Sequence, residues 1–92
     1  MIVRISGEDQ YVLGEGDVAG LNELESAVVA SVEEGREADF EPAFKALLDY
    51  TRAHGSRVSD DDLASSDLIL PPADLTFAEA GREFTGEGLI PD

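Results

Sequence analysis

An α+β fold is predicted for this 92-residue chain: an N-terminal β-hairpin, an antiparallel αα-hairpin, a short extended segment and a third short helix, so that the domain is mainly trihelical. Three observations predict it. Two short β-prone runs open the chain with turn residues between them. Two longer segments then carry apolar residues at helical spacing. Finally, a Pro-Pro break is followed by a helix-capping motif. The length is that of one small domain, taken as residues 1–92.

The runs IVRI (residues 2–5) and QYVL (10–13) flank Gly7, Glu8 and Asp9 and read as the hairpin. Asp17 is expected to cap the first helix, whose apolar positions Val18, Leu21, Leu24, Val28 and Val32 recur every three or four residues until Gly35 closes it. Asp39 is expected to open the second helix, with Pro42 in its first turn. Phe40, Phe44, Leu47, Leu48 and Thr51 form its apolar stripe, and Gly55 ends it. A link of about four residues makes the two helices antiparallel, each covering the other's stripe. Residues 56–67 are polar and read as a loop, with a helical turn starting at Asp60, Asp61 and Asp62.

Leu68-Ile69-Leu70 reads as extended and is stopped by Pro71-Pro72. Thr76-Phe77-Ala78-Glu79 fits the capping box, in which hydroxyl and carboxylate each satisfy a free helix-start N–H, so a third helix is expected to about Phe84. Its stripe is Phe77, Ala80, Gly81 and Phe84, and Gly81 would admit another backbone closely. The tail GEGLIPD reads as a turn followed by two apolar residues that pack. Whether the extended segments join the hairpin in one sheet is left open by the sequence.

Six Lys and Arg against twenty-one Asp and Glu leave a net charge of −15, spread evenly over both halves. Such a chain repels phosphate backbones and anionic headgroups, which argues against nucleic acid and direct membrane binding. The absence of Cys and the single His remove thiolate nucleophiles, disulfides and imidazole clusters. No run nears the ~18 apolar residues of a membrane span, and the N-terminus lacks the pattern of a signal peptide, so a soluble, cytoplasmic protein is expected.

Three motifs resolve to plain readings. Gly14, Gly16 and Gly20 precede a helix but lack dinucleotide-loop spacing, and Glu15 and Asp17 would repel a pyrophosphate; they read as a turn and cap. Asp60, Asp61, Asp62 and Asp67 lack the alternation and central Gly of a calcium loop and read as a solvated loop. His54 has no nucleophile elbow to serve and reads as a half-buried residue against the last carbonyls of helix 2. No catalytic residue, metal ligand or cofactor is expected.

The candidate partner-binding residues are acidic. Glu41, Lys45, Asp49 and Arg52 alternate in sign down helix 2 and need no partner. On helix 1, Glu23, Glu33 and Glu34 share the polar side with no base among them. Glu33 and Glu34 also lie at the negative end of the helix dipole. Glu25 falls inside the apolar arc between Leu21 and Val29. Either it pairs with an arginine such as Arg4, Arg36 or Arg52, or that arc is a surface awaiting a partner helix.

The opening MIVRISGEDQYVL, the LNELE of helix 1, and SDLILPPADLTFAEA followed by GEGLIPD resemble the PspA-associated protein family, PspAA. The resemblance covers nearly the whole chain and is most specific at its two ends. It implies a small trihelical domain without catalytic activity that accompanies PspA in the phage-shock, or envelope-stress, response. It also implies action by protein-protein binding in the cytoplasm, reaching the inner membrane face through the partner. No family motif transfers binding residues. The alternative is a structural homo-oligomer, a homodimer in its simplest form, formed through the hairpin's strand edge or the arc around Glu25.

Overall fold

The computed structural model describes residues 1–58 and 66–83. Its elements are β1 (Ile2–Ile5), β2 (Gln10–Val12), α1 (Glu15–Glu33), α2 (Glu37–His54), β3 (Ser56–Arg57), β4 (Leu68–Leu70) and α3 (Phe77–Glu83). The expected α+β architecture is present. β1 and β2 form the antiparallel hairpin, with Val3 opposite Tyr11. The hairpin turns through Gly7 at φ 79°, where the Glu8 N–H donates to the Ile5 carbonyl at 2.8 Å.

The four strands are ordered β3-β2-β1-β4. β4 runs parallel to β1, with Val3 beside Leu68 and Ile5 beside Leu70. The extended segment therefore joins the hairpin in one mixed sheet. Asp67 fastens its start: its carboxylate accepts the Ile2 N–H at 2.8 Å, and its own N–H donates to the Ile2 carbonyl at 2.8 Å. β3 pairs with β2 where the sequence suggested only loop. Two polar residues carry no alternating pattern, and the chain's return past Gly55 puts them there. The helical turn expected at Asp60–Asp62, Phe84 at the end of the third helix and the packing of the GEGLIPD tail lie outside the described residues.

Both aspartate caps are corrected. Gly14 and Arg36 occupy the N-cap positions of α1 and α2, and neither makes a side-chain capping bond. Asp17 and Asp39 stand in the first turns, where their charge still favours the positive end of the helix dipole. α1 ends as expected at Gly35, φ 67°. The Gly35 N–H reaches the Val32 carbonyl at 3.1 Å and the Arg36 N–H reaches Ser31 at 2.8 Å, which satisfies carbonyls the helix end would leave unpaired.

Residues 34–36 alone turn the chain into α2. Arg36 braces this turn through Glu34 at 2.6 Å and Asp39 at 3.0 Å. The capping box of α3 is formed as read: the Thr76 N–H donates to Glu79 at 3.2 Å and the Glu79 N–H to the Thr76 hydroxyl at 3.2 Å.

One core unites the layers. Val3, Ile5, Leu68 and Leu70 on the inward sheet face pack with Leu21 and Val28 of α1, Phe40, Phe44, Leu47 and Leu48 of α2, and Ala80 of α3. Burying each Val, Ile, Leu or Phe side chain among these contributes about 1.5–3 kcal/mol. The α2 stripe is buried as the periodicity predicts, with Thr51 donating its hydroxyl to the Leu47 carbonyl at 3.1 Å. Gly81 is corrected too: it is exposed, and among the described residues nothing lies within 4 Å of where its Cβ would be.

Candidate functional site

The structure disperses the acidic residues read from helix 1. Glu23, Glu33 and Glu34 are all exposed. Ten residues of helix, about 15 Å, separate Glu23 from Glu33. Glu34 is joined to Arg36 at 2.6 Å, so this side of α1 does have a base beside it. Glu25 is only 6% exposed, within the buried side of α1 beside Leu21 and Val29. That arc is covered core rather than open surface, and no buried side-chain polar atom among the described residues lacks a hydrogen-bond partner. The hairpin has no open edge either, since β3 and β4 flank it on its two sides.

His54 is half buried as expected, but its neighbours differ from the expectation. Its side chain is half exposed, stacks on Tyr50 with ring centroids 4.1 Å apart, and brings Nδ1 to 3.5 Å from an Asp17 carboxylate oxygen. Its partner is thus the first turn of α1. The Tyr50 hydroxyl donates to the Asp17 carbonyl at 2.8 Å. Burial, and then the negative charges of Asp17 and Glu23, push the Tyr50 phenol above its usual pKa. Gly20 lies beneath this ring and Gly14 caps α1, so the three glycines build a helix start and a close helix contact.

A groove of about 620 Å³ lies on the other side of α2. Phe40, Phe44 and Leu48 form its floor on α2, and Leu75 and Phe77 face them from the segment entering α3. Phe40 stacks on Phe44 at 5.4 Å and meets Phe77 edge-on at 5.6 Å, which holds the two walls together. The rim carries Glu37, Glu41, Lys45, Asp49 and Arg52 from α2 and Asp74 from the facing segment.

Within this rim the charge ladder read from the sequence is shorter than expected. Lys45 binds Asp49 at 3.0 Å, and Arg52 binds Asp49 at 3.1 Å and Glu8 at 2.6 Å. Hydrogen bonding from Lys45 holds the Asp49 carboxyl below its usual pKa, and bonding to Glu8 raises that of Arg52. Glu37, Glu41 and Asp74 have no ion pair among the described residues. None of these three was singled out as a site by sequence reasoning. The available signal was Glu37 and Glu41 one turn apart before the first base of α2, but Asp74 on the facing wall lies 33 residues beyond Glu41.

Among the described residues, no group of three or more His, Asp or Glu side chains could hold a metal ion, and no helix is long and apolar enough to cross a membrane. The molecule is therefore a small acidic α+β domain in which a helical hairpin and a capped third helix cover one face of a mixed four-stranded sheet. It belongs to the PspAA family: the family model described as PspA-Associated protein matches residues 1–92, the whole chain. No curated protein and no solved structure gives a match.

Proposed function

We propose that this domain is a non-enzymatic adaptor that binds PspA, or another protein of the envelope-stress response, through protein-protein contacts. The observation that carries this reading is the family match over residues 1–92, whose description names association with PspA. A net charge of −15 supports it physically, because such a field accelerates encounter with a basic surface while apolar contacts hold the complex. The adaptor acts in the cytoplasm and comes to the membrane through its partner.

The test is co-purification of the tagged full chain with PspA at low and high salt. Enrichment at low salt that falls at high salt is the expected result; no enrichment at low salt rejects the reading.

A second reading, a structural homo-oligomer, draws on the outward face of the sheet. There Val12 is 44% exposed and Ile69 is 59% exposed, both large apolar side chains. Sedimentation at micromolar concentration separates the two: a monomer removes the oligomer, and a dimer lost on Ile69→Asp favours it.

A further inference from the structure

We infer that the groove between α2 and residues 73–77 is a docking site for a basic amphipathic helix of a partner protein. This deepens the adaptor reading and rests on it. The exposed ridge of Glu37, Glu41, Lys45 and Asp49 runs along α2 at four-residue spacing. Beside it Phe40, Phe44 and Leu48, which are 1%, 4% and 3% exposed, form a nearly closed floor, so the apolar surface open to a partner is that of half-buried Leu75 and Phe77 on the facing wall. From Glu37 to Arg52 the groove follows the helix for about 22 Å, roughly four turns, and the furrow between this ridge and the facing residues 73–77 is where a ridge of a second helix packs.

A helical occupant suits the backbone as well. The amides of α2 are used within the helix, and the facing residues 73–76 are not a strand. An extended peptide would therefore find no ladder to join here. A helix arrives with its own backbone bonds made.

Charge selects which helix. Both bases of the rim are held by carboxylates, Lys45 by Asp49 and Arg52 by Asp49 and Glu8. The charge left without an ion pair among the described residues is Glu37 and Glu41 on one wall and Asp74 on the other. A second copy of this chain would bring the same acidic rim and another −15, so like charges would meet. A partner with an apolar stripe flanked by Lys and Arg instead places apolar side chains on Leu75 and Phe77 and cations against both walls.

The probe is a labelled peptide of about 15 residues, made of Leu at positions i, i+3, i+4 and i+7 with Lys elsewhere, titrated by fluorescence anisotropy against the full chain. Glu37→Lys/Glu41→Lys is expected to weaken binding roughly tenfold, and Glu23→Lys/Glu33→Lys, which changes net charge equally on α1, less than about twofold. Leu75→Arg, at a half-buried position, should also weaken binding, with circular dichroism reporting that each variant is folded.

Equal loss in the two charge-reversed pairs, or equal affinity for a scrambled peptide of the same composition, overturns the inference. A photo-crosslinking residue at position 75 should capture the peptide; capture of a second copy or of the chain itself overturns it. If wild type co-purifies with PspA and the groove variants do so equally, the groove is wrong and the adaptor reading stands. If wild type captures no PspA, the adaptor reading fails whatever the peptide does.

Discussion

Tyr50 lies across Gly20. A β-carbon on Gly20 would stand 2.9 Å from Cζ of the Tyr50 ring, and the ring's hydroxyl reaches the Asp17 carbonyl at 2.8 Å. Glycine inside a helix is less favourable than alanine by about 0.5–1 kcal/mol. Its presence in α1 is what lets the last turns of α2 close on the first turns of α1.

Gly20→Ala is therefore expected to destabilise the wild-type protein by about 1 kcal/mol, since expelling the ring loses more than helix propensity returns. In a Tyr50→Ala background the same change should stabilise by about 0.5–1 kcal/mol. Denaturant melts of the four proteins measure this cycle, and equal effects in both backgrounds would show that the contact is energetically idle.

Thr76→Ala should cost about 1 kcal/mol by removing the cap of α3. The same box carries a pH dependence. The Thr76 N–H, then its hydroxyl, hold the Glu79 carboxyl below its ordinary value of 4.5. Because the folded value is depressed, the stabilisation is full above the unfolded value and disappears as pH falls through the folded one. The stability difference between wild type and Glu79→Gln should accordingly be constant near neutrality and shrink below pH 4.5.

Salt should raise the melting temperature. Twenty-one acids face six bases, so repulsion outweighs the ion pairs, most of which are exposed. Between about 0.01 and 1 M salt the screening length shrinks from ~30 to ~3 Å, and calorimetry across that range should show a continuous rise in Tm. A fall would mean that the ion pairs of Arg36 and Arg52 dominate.

The two sides of β4 should respond differently to substitution. Leu70 is fully buried beside Ile5, so Leu70→Ala is expected to cost about 2–5 kcal/mol, whereas Ile69→Thr, at an exposed position, should stay within about 1 kcal/mol. Comparable losses by urea denaturation would place both side chains in contact with the core.

The helical hairpin was legible because its code is local. Apolar residues every three or four positions mark the stripe of Phe40, Phe44, Leu47, Leu48 and Thr51, and Gly35 and the Thr76-Glu79 pair act on neighbours a few residues away. The helix starts were misplaced by three residues because an aspartate favours the first turn almost as it favours the cap, and the competition between them is decided by where the preceding strand or turn delivers the chain. The surroundings of the candidate residues were less legible. Helical angle placed Glu25 correctly on the apolar side, but its burial depended on what α2 and the sheet bring over it. The groove joins α2 to residues 73–77, which no periodicity connects.

By itself the sequence determined the net charge, the helical hairpin, the capped third helix and the closure of α1 at Gly35, because composition and short-range backbone preferences act within a few residues. Only the tertiary structure decided that β4 lies parallel to β1, that Ser56 and Arg57 become an edge strand, that Glu34 is paired through Arg36, and that Glu37, Glu41 and Asp74, without ion pairs among the described residues, line one groove. Those outcomes depend on side chains from distant segments competing for the same core and the same few cations, a contest that spacing along the chain does not record.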